Sequence, residues 1–230
     1  MTAVAESAAV ITASLNLDEV LQRILEQIIQ ALGGQGTFLA LVNADSGDLE
    51  VRAAIPDGNE HDGSDAGIIG RHIPFGKGIA GWVAREGLGA IVHDVHVEKR
   101  FSVEVDQILG FDSRAILSAP IRSEGQIIGV LEVINPQEGS FEQDDLLVLV
   151  GIGSLAGTAI RRAELYESLQ AAHKRYQELF EDSIDLILIT DWNGKVMEAN
   201  RRAQLTCGLR SEQLHVQTVD RLHLVDWEKV

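Results

Sequence analysis

Few residue groupings in this chain could do chemistry. Gly76-Lys77-Gly78-Ile79-Ala80-Gly81 spells G-x-G-x-x-G, the spacing that lets a backbone close on a dinucleotide pyrophosphate. Its context argues against that use. Such a fingerprint follows a buried strand and meets an acidic residue about 20 positions later, whereas Pro74 stands just before this run and Asp94 comes much sooner. The run reads better as a glycine hinge into a helix carrying Trp82, whose N-terminus could still face an anionic group. His93-Asp94-Val95-His96 offers two imidazoles and a carboxylate, but in an extended segment positions 93 and 96 point to opposite faces. A third ligand, His61 or His72, would have to come from a loop, so neither metal nor haem is expected. Asp57, Asn59 and Asp62 hint at a calcium loop that lacks its glycine and closing glutamate. Cys207 is the only cysteine, and with no basic neighbour closer than Arg210 it reads as an inert thiol. No G-x-S-x-G elbow, Walker lysine or H-E-x-x-H helix occurs. No catalytic residues are expected, and no enzyme activity within the chain.

Composition narrows the partners. Asp and Glu number 35 against 19 Lys and Arg, a formal charge of -16. Nucleic acid and anionic membrane surfaces both demand a basic stripe, and the basic runs here are pairs such as Arg161-Arg162 and Arg201-Arg202. A single cysteine excludes a disulfide framework or a cysteine-rich zinc site within one chain and fits a reducing, cytoplasmic compartment. Residues 1–16 carry no basic start and a glutamate at position 6, unlike a signal peptide. The most apolar run, Leu146 to Ile160, is too short as a helix to cross a bilayer and is expected to be buried in a soluble core. A length of 230 residues corresponds to about one and a half domains at roughly 150 residues each.

The elements that must position any site follow from periodicity. Leu17, Val20, Leu21, Ile24, Ile28 and Leu32 share one face of a helix over 16–32, with Asn16 as N-cap and Gly33-Gly34 as its stop. TFLALVNA and DLEVRAAI read as a hairpin around Asp45-Ser46-Gly47, and residues 56–67 as a polar loop. A helix from about Ile79 to Arg85, a strand AIVHDV and a short helix around Glu98 to Leu109 come next. SRAILSAPIR and QIIGVLEVIN flank Ser123-Glu124-Gly125, and the second run is apolar on both faces apart from Glu132, which predicts a central strand. Residues 142–182 contain no proline and read as one long helix. Along it Leu155, Ala159, Arg162, Tyr166, Leu169, His173, Tyr176 and Phe180 follow the four-three spacing of a short coiled-coil seam. Beyond it DLILITD and KVMEAN surround Trp192-Asn193-Gly194, a hairpin signal, followed by short helices RRAQLTCG and SEQL.

GKGIAGWVAREG, IVHDVHVEKRF, and above all RAILSAPIRSEGQIIGVLEVINP followed by FEQDD and an apolar helix resemble a GAF domain. Residues 176–230 similarly resemble the first half of a PAS domain, through YQELFEDSIDLILITDWNGKVMEANRRAQLTCG, with Asp191, Gly194, Asn200, Ala203 and Gly208 in the usual places. The fold implied is α+β: a GAF-like central antiparallel sheet of about six strands with flanking helices, a long C-terminal signalling helix, then an incomplete PAS-like α+β unit. The domains are expected as a tail over 1–13, GAF over 14–160, a helical linker over 161–182 and the PAS half over 183–230, the last cut before its final three strands and either poorly packed or partner-dependent.

The resemblance implies a sensory module of the kind placed before histidine kinases, nucleotide cyclases or phosphodiesterases, as in the bacterial sensor histidine kinases of two-component systems, relaying a signal to a downstream domain of the same full-length chain. Cyclic-nucleotide-binding GAF domains carry N-K, then F, then D-E. Asn135, Phe141 and Asp145 match, but Pro136 and Leu146 depart, which argues against cyclic nucleotides. Bilin linkage needs a GAF cysteine, absent from residues 1–160, so the cofactor is left unknown. A small-molecule pocket is expected between the sheet and residues 79–111, lined by Trp82, Val95, Phe101, Phe111, Ile116 and Ser118, with Asp94 and Arg114 as polar contacts. A homodimer is expected through Leu155, Ala159, Tyr166, Leu169 and Tyr176. The alternatives are a ligand-free dimerisation and spacer module, or part of a histidine kinase whose catalytic half lies elsewhere.

Overall fold

A computed structural model describes residues 16–55 and 67–222. The calcium-like loop residues and His61 lie outside the described residues. The chain divides into two compact units, residues 1–167 and 168–230.

In the first unit α1 (Leu17–Leu32) begins where the Asn16 side chain accepts from the Glu19 N–H and ends at Gly33 in the left-handed region, as the spacing predicts. Six strands follow: β1 (Gly34–Val42), β2 (Leu49–Ile55), β3 (His72–Ile73), β4 (Ala90–Val92), β5 (Ile116–Ser123) and β6 (Gln126–Pro136). Their order is β3-β2-β1-β6-β5-β4, and every neighbouring pair is antiparallel. β1 and β6 therefore sit at the centre, joining the first hairpin to the last. Between strands lie α2 (Gly78–Glu86) and α3 (Val103–Leu109). The helix α4 (Gln143–Glu181) leaves β6 and is 39 residues long.

Two segments differ from expectation. AIVHDV is strand only as far as Val92, because Val95 turns back to bond the Arg114 carbonyl and Asp94 accepts from the His96 N–H. The helix expected from Glu98 starts at Val103. Glu98 and Arg100 are held in a turn by their own ion pair, and Ser102 caps the helix by accepting from the Val105 N–H.

Alternation along the strands gives the sheet two buried faces. Leu39, Leu41, Leu117, Ala119, Ile121, Leu131 and Val133 face α1 and the first half of α4. Phe38, Ala40, Ile116, Val130 and Ile134 face α2 and α3. The expectation of a central strand covered on both sides holds for β6.

Length and composition alone would let α4 cross a membrane, but 44% of its most apolar window is buried, where Leu149, Ile152, Ala156, Ala159 and Ile160 close on the sheet. Its approach is set by glycine. A Cβ on Gly153 would lie 2.6 Å from the Pro120 carbonyl oxygen, and one on Gly157 would lie 1.9 Å from that of Arg122. Helix and strand are in backbone contact there, which no other residue allows.

In the second unit β7 (Leu188–Thr190) pairs with β8 (Val196–Ala199), followed by α5 (Arg201–Cys207), α6 (Ser211–Leu214) and a 3-10 turn, Val219–Leu222. Its core is small: Val196, Ala199, Ala203 and Leu214 are buried, while Ile184, Trp192, Leu205 and Val216 stand exposed. Asn200 binds it together, accepting from the Ile187 and Ala203 N–H groups and donating to the Asp185 carbonyl.

Substituting Gly157→Ala is expected to destabilise the first unit by about 1–3 kcal/mol through overpacking, whereas Ala at Gly47, where a Cβ meets nothing within 4 Å, carries only the strain of its positive φ. Urea unfolding of the two variants checks the contrast.

Candidate functional site

The face of the sheet beneath α2 and α3 holds a carboxyl that apolar patterning alone would not place there. Glu132 is 4% exposed, on the central strand β6, flanked by Phe38 on β1 and Ser118 on β5. The Ser118 hydroxyl has one proton, which goes either to the Leu131 carbonyl at 3.3 Å or to this carboxyl. Glu132 Oε2 has no hydrogen-bond partner. Burial, far more than the nearby Asp106 charge, raises the Glu132 pKa to about 8 from the usual 4.5, so the group is predominantly neutral at pH 7.

Glu132 forms the floor of a cavity whose walls are Gly78, Ile79 and Ala80 of α2, Val105, Asp106 and Leu109 of α3, and Phe101, Ser102 and Ile116 between them. About 240 Å³ of non-atom space, solvent at the mouth included, lies among these residues, but the volume open to the centre of a water molecule is about 10 Å³, room for about one water. The cavity is too narrow for anything larger. Asp106 is also raised by burial, although the Ser113 hydroxyl and N–H both donate to it. At the other wall Gly78 has φ +69, so the glycine run is a hinge that brings the α2 N-terminus over the sheet. Lys77, its N-cap, makes no capping bond and pairs instead with Glu104 on α3.

Several expected lining residues reach this region. Phe101 and Ile116 line the cavity, and Val95, Phe111 and Trp82 belong to the core around it, Phe111 stacked on Phe38 at 6.0 Å. Ser118 lies beside Glu132. Asp94 and Arg114 are exposed and outside the lining: Asp94 caps its own turn, and Arg114 donates to Gln35. The polar groups that do face the cavity, Glu132 and Asp106, were absent from the expected set. Glu132 had a signal in the sequence, as the single charge in an otherwise apolar central strand; Asp106 had none, being one of several acids on a short helix.

Next to the cavity, Arg100 lies 4.4 Å from the Trp82 ring centroid and pairs with Glu98 at 2.8 Å. Hydrogen bonds from Arg100 hold the Glu98 carboxyl down at about 2. His93 and His96 are exposed, and no group of three metal-ligating side chains occurs among the described residues. Asn135, which matched a cyclic-nucleotide motif by sequence, is buried with φ +50, accepting from Arg114 and Ala115 N–H groups and donating to the Asp112 carbonyl. Phe141 is buried on the opposite face of the sheet, and Asp145 accepts from the Glu142 N–H at the start of α4. These three residues hold the fold and do not line the cavity. Burial raises the Cys207 thiol, consistent with an inert group.

Along α4, Ala159 is buried in the first unit's core and is not available to a dimer seam. Leu155 is half-buried, Tyr166 and Leu169 are exposed, and Tyr176 stacks on Phe180 at 5.6 Å while donating to Glu198.

The six-stranded antiparallel sheet carries α1 and α4 on one face and α2 and α3 over the cavity on the other, and family comparison identifies the fold. The chain belongs to the GAF domain family, matched over residues 14–161, and a PAS domain follows at 174–229. Among curated proteins it is 34% identical over 152 residues to the dual 3',5'-cyclic-AMP and -GMP phosphodiesterase 11A of Takifugu rubripes, covering 64% of this chain and 17% of that protein. It is 37% identical over 111 residues to phosphodiesterase 11 of Drosophila melanogaster, covering 47% and 8%. The chain thus spans less than a fifth of these relatives' length. Among solved structures, the GAF domain of a Coxiella burnetii phosphoenolpyruvate-protein phosphotransferase superposes with TM-score 0.62 at 17% identity, covering 73% of this chain and 95% of that one. Free methionine-R-sulfoxide reductase of Neisseria meningitidis superposes with TM-score 0.58 at 19% identity, covering 70% and 88%. At these identities the structures speak to fold alone. The chain is a regulatory sensory module, and these curated relatives are animal phosphodiesterases, one of the three host classes the sequence resemblance implies; no relative named above is a bacterial histidine kinase.

Glu98→Gln is expected to release Arg100 from the Trp82 ring and red-shift the Trp82 emission, read with Trp192 and Trp227 replaced by Phe, at a stability cost under about 1 kcal/mol. Folding lowers the Glu98 pKa, so the wild-type pair contributes fully above 4.5 and fades as pH falls through about 2. The variant's deficit should fade over the same window.

Proposed function

We propose that the first unit binds a small molecule in the cavity over Glu132 and passes the event to α4, with no catalysis in this chain. The observation carrying this reading is the unpartnered Glu132 Oε2, fully buried and facing the cavity. A buried polar group without a partner costs about 1–3 kcal/mol, and nothing in the packing returns that cost. A ligand supplying the missing hydrogen bond would. The route to α4 is short: Glu132 pairs with Ser118 on β5, and the reverse face of β5 meets α4 backbone to backbone at Gly153 and Gly157. A ligand that shifts β5 therefore biases how α4 packs.

The exposed Tyr166 and Leu169 support the proposal of a homodimer along α4, and the acidic balance supports a cytoplasmic setting away from nucleic acid and membrane. The downstream domain of the full-length chain is proposed to hold the output. Histidine kinase remains the output suggested by the sequence resemblance, and cyclic nucleotide hydrolysis is the one suggested by the names of the relatives. One observation favours a second reading: the narrow cavity, with room for about one water, suits a ligand-free dimerisation and spacer module, whose pocket is filled by its own side chains.

Thermal unfolding with cyclic nucleotides, free purines, amino acids and haem separates the two. The sensor reading expects at least one compound to raise Tm with concentration as RT ln(1 + [L]/Kd), with the response lost in Glu132→Leu. The spacer reading expects no compound to act; Glu132→Leu is expected to be more stable than wild type on either reading.

A further inference from the structure

The cavity has a second property that does not depend on any ligand. Glu132 Oε2 is sealed without a partner, and the space beside it admits about one water. A carboxylate in that position would be stranded, because an ion without solvent, counter-ion or donors is far more costly to bury than a neutral acid. Among the described residues that line the cavity there is no counter-ion. β1 places Phe38 beside Glu132 and β5 places Ser118. The α2 lining residues, Gly78, Ile79 and Ala80, carry no charge, and α3 contributes Asp106, a second acid. Asp112 adds to the negative charge felt by Asp106. Of the cations that touch α3, Lys77 is joined to Glu104 and Arg71 donates to the Ile108 carbonyl.

The cover over this site is α3, seven residues long. It is fastened by the Lys77–Glu104 pair at one side, by Arg71 donating to the Ile108 carbonyl, and by Ser113 donating to Asp106 at the other. These fastenings are polar, the Lys77 and Arg71 ties lie at the surface, and only Val105 and Leu109 of the helix are buried. An element with so few apolar contacts belongs to the least stable part of a fold.

We propose that α3 is a proton-coupled lid: it closes over the cavity when Glu132 is a neutral acid, and loss of that proton to solvent opens it. In the open form the carboxylate is hydrated and the space under α3 is accessible, so pH sets how often a ligand can enter.

The sign follows from linkage. Closure raises the Glu132 pKa from 4.5 to about 8, so the closed form is fully favoured below pH 4.5 and loses that advantage as pH rises through about 8. Between those limits the opening constant increases by up to about tenfold per pH unit, and above about 8 it levels off.

Hydrogen exchange on the full chain without ligand, corrected for the intrinsic pH dependence of exchange, reads this directly. The amides of α3 and of Gly110, which donates to the Asp106 carbonyl at 2.9 Å, should show the rising opening constant, while those of α1 and β1 should not. Glu132→Gln should flatten the α3 response, and Asp106→Asn should leave a slope. A flat response in wild type, a slope surviving in Glu132→Gln, or a parallel change in α1 and β1 would overturn the proposal. Should Glu132→Gln fail to fold, the wild-type Glu132 carboxyl ¹³C shift decides: titration near 8 together with the α3 slope supports the lid, and titration near 4.5 overturns it. A lid that works with no compound binding would leave the lid proposal standing and the sensor reading refuted.

Discussion

The pairing of β6 with β1 and β5 is the constraint on which the rest of the first unit depends. β6 carries hydrogen bonds on both edges and side chains buried on both faces, so each of its residues must suit one of two cores. Leu131 and Val133 turn toward α1 and α4, and Val130 and Ile134 toward α2 and α3. A one-residue slip would exchange these sets and carry Glu132 into the fully apolar core beneath α4. The register is pinned at one end by Asn135, which ties β6 to the start of β5 through three hydrogen bonds. At the other end the bulge between Ile121 and Arg122 lets the hairpin close.

The two faces of this sheet are built to different tolerances. On the α4 side, glycine lets helix and strand backbones touch, and contact that close leaves no play. On the α3 side the sheet meets a short helix and a narrow cavity floored by an acid. One side transmits displacement, the other can be displaced, and the strands β5 and β6 belong to both. A change at Glu132 has only the thickness of one sheet to cross before it reaches α4.

Much of this was legible in the sequence because hydrophobic period and turn chemistry act locally. The cap at Asn16, the Gly33 stop, the central position of β6 and the long helix after Phe141 all follow from nearest-neighbour patterns, and the structure has each of them. What was not legible depended on contacts between distant residues. Asp94 and Arg114 looked like pocket residues from their place in the chain, yet a two-residue turn and a bond to Gln35 hold them at the surface. Ala159 fits a coiled-coil spacing as well as it fits the sheet, and only the approach of α4, fixed by Gly153 and Gly157, decides that the sheet has it. Asp106 faces the cavity because Ser113 receives its carboxylate, a pairing no periodicity encodes.

Glu132 was visible and was passed over, and the reason is physical. Patterning treats a lone charge in an apolar strand as an exposed exception, whereas on a central strand with both faces covered there is no exposed position to give it. An acid on a doubly covered strand must be neutral, paired or matched by something that enters. The structure gives Glu132 Oε2 no hydrogen-bond partner and room for about one water, which favours the neutral acid. An apolar residue of similar size would make a tighter and more stable sheet at this position. That Glu132 stands there at a cost to the fold is the reason to look for the function of this domain on the side of the sheet that α3 covers.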